Sequence, residues 1–179
     1  MKKTLISLAL GLASTSAFAY DGSINFYGQV KGGTCPIEII DPVSGSPLSR
    51  IQLGNVTPAQ FPSVGSEAAA RPFSMRITPG ASCTVAAGES ATVAFTPLYG
   101  GAGTGGTLYG LKPGGATGLA LAIKDRTGAL VDNGADSTAY PLSETDPTDM
   151  LFTALYKSTA ATIGAGVAET DISFLVSVN

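Results

Sequence analysis

The sequence predicts an all-β fold, either an antiparallel sandwich or a barrel, and two observations support this prediction. Short runs of alternating apolar and polar residues recur along the 179-residue chain, and clusters of Gly, Pro, Asp, Asn and Ser separate them. Beyond the N-terminal leader, no segment of ten or more residues shows a convincing helical period. Regularly spaced short strands of this kind are typical of antiparallel sandwiches and barrels.

The first predicted strand, 23–30, places Ile24, Phe26, Gly28 and Val30 on one face, because alternate residues of a strand point to the same side. Three further runs of similar character follow in the first half of the chain, each beside turn residues: 35–40 before a turn at 41–47, then 50–56, then 72–78. One possible helical turn lies at 66–70.

The second half of the chain continues the pattern. Its predicted strands are 91–95, 119–123 with a turn at 125–128 and a partner run at 130–131, 150–156 and 172–178. In the last strand Ile172, Phe174, Val176 and Val178 share one face. The first and last strands each carry an exposed apolar face unless a partner covers them, so they pair with each other or with another molecule.

Nine glycines lie within 99–118, and we predict a surface loop there because glycine is costly to order and adds little to a core. The run 101–106 superficially resembles a dinucleotide fingerprint. That motif requires a strand–helix unit, which this sequence does not offer, so nucleotide binding is not predicted.

The first 19 residues have the features of a secretory signal peptide: Lys2 and Lys3, an apolar stretch, and small residues at Ala17 and Ala19. The apolar stretch is shorter than the roughly 20 residues that span a bilayer. Removing 19 of 179 residues leaves 160 and changes the net charge from −3 to −5. We therefore expect export, and no membrane insertion of the mature chain.

The composition excludes several functions. With no His, the chain has no imidazole base, no His-dependent triad and no imidazole zinc site. Its negative charge disfavours nucleic-acid binding. Five acidic residues could serve a secreted enzyme or a calcium site: Glu144, Asp146, Asp149, Asp132 and Asp136. They lie among turn residues, so we interpret them as solvent-exposed loop residues. We predict no catalytic residue, no cofactor and no metal site.

Cys35 and Cys83 are the two cysteines of the chain. In an oxidising compartment an intramolecular disulfide is the simplest expectation, and free thiols or an intermolecular bridge are the alternatives. A bond that closes a loop of this size stabilises a fold by roughly 4 kcal/mol on the chain-entropy model.

Several segments together resemble the subunits (pilins) of chaperone–usher fimbriae, and type 1 major pilins in particular. They are the run 20–30 followed by Thr34-Cys35, the strand Ile51-Gln52-Leu53-Gly54-Asn55-Val56, Ser82-Cys83, the segment 118–128, Phe152-Thr153-Ala154-Leu155-Tyr156 and the terminal β run. The resemblance covers nearly all of 20–179. The chain departs from the family at Val178, where an aromatic residue is usual, and in its longer Gly-rich stretch.

The resemblance implies an incomplete immunoglobulin-like sandwich that lacks its final strand and is completed by donor-strand exchange. Residues 20–33 would form the donor extension, with Ile24, Phe26 and Val30 filling a neighbour's groove and Gly28 lying where no side chain fits. Residues 34–179 would form the pilin domain. Its last strand, with Ile172, Phe174, Val176 and Val178, would be one wall of the groove and the main chaperone contact.

The implied partners are a periplasmic chaperone, an outer-membrane usher and neighbouring pilin subunits, in a cell-surface filament that serves adhesion. The single predicted domain and the donor extension favour a structural subunit. A minor adaptor or tip-associated subunit is the first alternative, and a secreted module that binds a small ligand or carbohydrate is the second. Strand addition of this kind gives affinity through backbone hydrogen bonds and register through alternate side chains.

Overall fold

The computed structural model describes residues 22–30 and 35–179, with the backbone alone for residues 27–30. The predicted signal peptide, 1–19, lies outside the described residues. The described residues form eleven strands: β1 Ser23–Val30, β2 Ile37–Ile40, β3 Ile51–Gln52, β4 Glu67–Ile77, β5 Ser90–Pro97, β6 Gly101–Ala102, β7 Leu108–Tyr109, β8 Leu119–Lys124, β9 Tyr140–Pro141, β10 Thr148–Ser158 and β11 Glu169–Val178. Among these residues the only helical segments are two single 3₁₀ turns, Pro58–Gln60 and Thr104–Gly106. No helix there is long and apolar enough to cross a bilayer.

The strands form two sheets that face each other across one core. The first sheet has the order β3-β1-β11-β5-β9 and the second has the order β2-β4-β10-β8-β7-β6. In the immunoglobulin fold, one sheet contains strands A, B, E and D, and the other contains C, F and G. Here β2, β4, β10 and β8 take the first set of positions, and β5 and β11 take those of C and F. The fold is an immunoglobulin-like sandwich, as predicted.

The place of strand G, beside β11, is occupied by β1 from the opposite end of the sequence. Strands β1 and β11 are parallel, with Ser23 opposite Glu169 and Val30 opposite Val176. In an immunoglobulin sandwich the last strand follows F through a hairpin and is therefore antiparallel to it. The chain thus completes its sandwich with its own N-terminal strand, in the direction opposite to that of a regular strand G.

The core contains aromatic side chains from both sheets. Phe73 of β4 and Phe152 of β10 stack with ring centroids 5.6 Å apart, and Phe95 of β5 meets Phe152 edge-on at 5.2 Å. All three are fully buried. Aromatic pairs in these geometries add stability beyond the area that they bury. The alternating pattern of the sequence therefore directs the same face of each sheet inward, as expected.

The expected helical turn at 66–70 is wrong, because residues 67–70 form the start of β4. Lys157 and Tyr156 of β10 pair with Glu67 and Ala68, so sheet pairing outweighs the local preference. The ladder is irregular between Ala154 and Tyr156, and Ala69 there has a φ of +58°. A bulge of this kind adds a residue to one strand and increases its twist.

The Gly-rich segment is more ordered than the expected surface loop. It forms β6, a 3₁₀ turn and β7, and its Tyr109 is fully buried, with the hydroxyl donating to the Val131 carbonyl at 2.7 Å. Leu108 packs with Ala120, Ala122 and Leu155 in a small second cluster on the far side of β8. The prediction that this segment adds little to a core is therefore wrong. Leu108 and Tyr109 are buried, Tyr99 and Leu111 are half-buried, and the glycines allow the tight turns between them.

The turn at 125–128 after β8 is held by a buried carboxylate. Asp125 accepts hydrogen bonds from the Thr127 amide at 2.9 Å, the Thr127 hydroxyl at 2.6 Å and the Thr138 amide at 3.1 Å. Burial alone would raise the pKa of Asp125, but the hydrogen bonds from Thr127 and Thr138 outweigh it and lower this pKa to about 2. Beyond the turn, the predicted partner run is reduced to a single bridge between Leu130 and Lys124.

Replacing Asp125 by Ala is expected to lower the free energy of unfolding at neutral pH by about 2 kcal/mol. Because the pKa is lower in the folded state, this stabilisation is present above the unfolded pKa near 4 and is lost as pH falls toward 2. The free energies of unfolding of the natural chain and of Asp125→Ala, measured with urea between pH 7 and 2, should therefore become equal in acid. Asp136→Ala, at an exposed position, is the control. A difference in the free energy of unfolding between Asp125→Ala and the natural chain that did not change with pH would contradict the stabilising role of the Asp125 carboxylate.

Candidate strand-acceptor groove

The candidate site is the groove between β3 and β11 in which β1 lies. Its backbone partners are continuous along β11, where eight consecutive residue pairs run from Ser23–Glu169 to Val30–Val176. On the other side, Ser23 and Ile24 pair antiparallel with Gln52 and Ile51. A groove that takes one strand in this way offers backbone hydrogen bonds along its length and pockets for alternate side chains.

The inner face of β1 enters the core of the sandwich. Ile24 is fully buried, and the ring centroid of the partly buried Phe26 lies 5.1 Å from that of Phe73 and 6.3 Å from that of Phe95. These two predicted donor residues therefore belong to the main hydrophobic core, and Phe26 also contacts its aromatic rings. The backbone of Gly28 and Val30 pairs with Phe174 and Val176. The side-chain surroundings of these two positions lie outside what the structure describes.

The predicted wall of the groove is formed by β11. Ile172, Phe174 and Val176 are buried, and they face inward as the alternation in the sequence indicates. Val178 differs, because it is 42% exposed at the end of the strand. The wall therefore consists of three side chains, with the fourth predicted member outside the core.

Polar contacts hold β1 on its solvent side. The Asn25 side-chain NH₂ donates to the Glu169 carboxylate at 3.4 Å, and the Arg50 Nε donates to the Asn25 side-chain oxygen Oδ1 at 3.0 Å. Asn25 thus links the strand to both walls of the groove. The contact with Glu169 is partly buried and the contact with Arg50 is exposed, and solvent competes for both, so they fix the position of the strand more than they stabilise it.

One edge of β1 is open beyond its first residues. Within the described residues, β3 pairs with β1 only at Ser23 and Ile24. Past that point a cleft of about 410 Å³ separates β1 from β2, and its apolar lining residues are Phe26, Ile37, Ile39, Leu48, Ile51 and Phe174. The groove is therefore filled along β11 but not sealed on the opposite side.

The entrance of the groove is closed by Gly22 and Tyr156. Gly22 is buried against the Tyr156 hydroxyl, which donates to the Ala168 carbonyl at 2.7 Å. Burial raises the pKa of Tyr156, so its hydroxyl remains a donor at any physiological pH. A smaller, mainly apolar cavity of about 120 Å³ adjoins this point, and its lining includes Gly22, Phe61, Leu119 and Ile163. The alternation of the sequence gave no indication of this contact.

The predicted disulfide is present. Cys35 and Cys83 form a bond with a sequence separation of 48, and Cys83 is buried in the main core. The bond joins the segment that leads into β2 to the loop after β4. It therefore anchors the chain close to the point where the predicted donor extension leaves the domain.

The acidic residues considered for enzymes or metal sites do not form a group. Asp149 makes a bidentate ion pair with Arg76, at 2.6 and 2.8 Å. Asp146 accepts a hydrogen bond from the Thr145 hydroxyl at 3.2 Å, and its backbone amide donates to the Ser143 hydroxyl at 2.9 Å, in an exposed turn. In residues 22–30 and 35–179, no three acidic or cysteine side chains are placed to hold a metal ion.

Comparison with known proteins identifies the family. The family model described as "Fimbrial protein" matches residues 24–179. The chain belongs to the fimbrial protein family. It is 28% identical to the probable major fimbrial subunit LpfA of Escherichia coli O157:H7, over 99% of this chain and 97% of the relative. It is 30% identical to the type-1 fimbrial protein A chain of E. coli K12, over 94% of this chain and 92% of the relative.

Solved structures agree with this assignment. The Burkholderia pseudomallei antigen and type I fimbria protein BPSL1626 is 27% identical, with a TM-score of 0.55 over 90% of this chain and 97% of that one. The P pilus rod subunit PapA shares the fold, with a TM-score of 0.59 at 19% identity over 82% of this chain and all of that one. The protein is thus a fimbrial structural subunit with the pilin fold. The predicted division into an extension, 20–33, and a domain, 34–179, remains a prediction.

Proposed function

We propose that the mature chain polymerises head to tail by inserting residues 20–31 into the groove of a second copy. The observation that carries this proposal is the position of β1, a strand from the start of the mature sequence that occupies the place of strand G. Since the connection from β1 to β2 runs through residue 35, which the disulfide anchors to Cys83, the strand can leave its own groove while β2 stays joined to the domain. A contact between two different surfaces of identical subunits does not close on itself and yields a filament.

The direction of the strand supports exchange between molecules. In the lone chain β1 is parallel to β11, and parallel pairing is slightly less stable per residue than antiparallel pairing. A strand from a second copy is free of the short connection to β2 and can enter antiparallel to β11, as the last strand of an immunoglobulin sandwich does. We infer that the intermolecular arrangement is the more stable of the two.

The apolar side chains of the strand supply the free energy. Burial of Ile24, Phe26 and Val30 in an acceptor groove is worth on the order of 5–9 kcal/mol, at 1.5–3 kcal/mol for each side chain. The whole stability of a typical domain is about 5–15 kcal/mol. A subunit with an empty groove should therefore be marginally stable, and a joined one very stable.

The same groove suggests the assembly partners. A subunit with an exposed wall at Ile172, Phe174 and Val176 would aggregate during export, because an unpaired apolar strand edge recruits other strands. We propose that a periplasmic chaperone covers this wall and that an outer-membrane usher catalyses the exchange. The subunit then acts as a non-catalytic structural element of an extracellular fimbria.

Replacing Gly28 by Val tests the donor role. We expect the variant to polymerise poorly while it still binds the chaperone, since the larger residue would not fit a neighbour's groove although the subunit's own acceptor wall is unchanged. Filament formation by the purified variant is measured by electron microscopy. Ser23→Val is the control, because it also introduces Val into β1 but on the opposite face of the strand, and it leaves the polar contacts of Asn25 in place. Filaments of normal length from Gly28→Val would contradict the proposed register.

A further inference from the structure

We propose that Gly22 decides whether the chain can fill its own groove with β1, a state that we call self-capped. The residue would thereby set the balance between the self-capped subunit and a subunit that accepts the strand of a second copy. The inference rests on the proposed function and adds a specificity-determining position to it. Gly22 precedes the apolar donor residues, and the predicted donor role uses none of its properties.

The first observation is steric. A Cβ atom added at Gly22 would overlap the hydroxyl oxygen of Tyr156, and it would lie 2.8 Å from Tyr156 Cζ and 3.0 Å from the Ala168 carbonyl oxygen. Cβ contacts shorter than 3.0 Å are essentially absent from proteins. The small cavity nearby does not relieve this overlap, because the Cβ atom itself occupies the position of the hydroxyl.

The second observation is that neither partner can move away easily. Tyr156 is 1% exposed, lies in the middle of the second sheet between β4 and β8, and donates its hydroxyl hydrogen to Ala168 at 2.7 Å. The carbonyl of Gly22 accepts from the Leu53 amide at 3.3 Å, and the next residue, Ser23, pairs with Glu169. Any side chain at position 22 would therefore have to displace the strand from its own groove.

The third observation concerns the direction in which β1 runs along β11. When β1 runs parallel to β11, its first residue reaches the end of the groove at Ala168 and Tyr156. A donated strand that runs antiparallel brings its last residues to that end and leaves position 22 at the opposite end. A substitution at Gly22 should consequently affect the self-capped subunit and leave the same strand competent as a donor.

The test measures how fast a peptide enters the groove. A fluorescent synthetic peptide of the natural sequence 20–31 is added to the purified mature subunit, to Gly22→Val and to the matched control Ser23→Val, which adds the same residue on the other face of β1. We expect the peptide to enter Gly22→Val on the order of tenfold faster or more than it enters the natural subunit, because overpacking at position 22 destabilises the self-capped state. The insertion rate for Ser23→Val should equal that of the natural subunit. Circular dichroism in the absence of peptide monitors folding.

The outcomes separate the two proposals. If the peptide enters Gly22→Val and the natural chain equally fast, the role of Gly22 is wrong although strand acceptance stands. If it enters none of the proteins, the proposed function itself fails. If Gly22→Val does not fold alone but folds when the peptide is present, the inference is supported, because the chain has lost only the ability to fill its own groove with β1. If it folds neither alone nor with peptide, Gly22 is needed by the core and the inference is overturned.

Discussion

Replacing Phe174 by Asp is expected to abolish recovery of the folded subunit from the periplasm. Phe174 lies in the middle of β11, is 9% exposed, and pairs through its backbone with Gly28 on one side and Phe95 on the other. An unpaired carboxylate at this position would lose its hydration without gaining a partner, which costs several kcal/mol or more. The same change would damage the groove wall on which both the chain's own strand and a chaperone strand would pack.

The adjacent Leu175 provides a matched control for this substitution. It lies on the same strand but points outward and is 37% exposed, so Leu175→Asp introduces the same charge into solvent. Soluble, disulfide-bonded subunit in periplasmic extracts is measured by quantitative immunoblotting against the natural chain. We expect yields near normal for Leu175→Asp and none for Phe174→Asp. Equal yields for both variants would mean that the inner face of β11 is not the packing surface.

Removing the disulfide is the second large effect that we expect. The bond closes a loop with a sequence separation of 48 and joins residue 35, beside the predicted donor extension, to a buried position of the core. Replacing both Cys35 and Cys83 by Ala should lower the free energy of unfolding by roughly 4 kcal/mol. This is a large share of the roughly 5–15 kcal/mol that stabilises a typical domain, so the variant should unfold at a much lower urea concentration than the natural chain.

Urea unfolding with and without a reducing agent measures this contribution. Reduction should shift the midpoint of the natural chain to that of the double variant, and it should leave the variant unchanged. A reduced natural chain that remained as stable as the oxidised one would show that the bond does not hold the fold. Using the double variant avoids a lone thiol, which could form bridges between molecules.

The features predicted from sequence are those set by local pattern. Alternation in 172–178 identifies the buried face of β11 because a strand with one side in the core must repeat with a period of two. Alternation likewise places Ile24 and Phe26 on one face of β1, whereas their role in filling a neighbour's groove is an implication of the family resemblance. In the lone chain they fill the chain's own groove. The two cysteines left few alternatives once an oxidising compartment was inferred.

The features that sequence did not predict depend on contacts between distant segments. A period of two is the same for parallel and antiparallel neighbours, so it gives no indication that β1 runs parallel to β11. The contact of Gly22 with Tyr156 joins positions 134 residues apart, and nothing local marks either residue. Leu108 and Tyr109 are buried only because the Gly-rich segment turns back over β8, which composition alone cannot show.

The most direct test of this account is the stability of the mature chain from which residues 20–31 have been deleted. The account predicts that this truncated subunit, purified without chaperone, lacks cooperative unfolding in circular dichroism and regains it when the synthetic 20–31 peptide is added. A truncated chain that unfolded cooperatively at the same urea concentration as the intact subunit, with no response to the peptide, would contradict the central claim that the sandwich needs a donated strand.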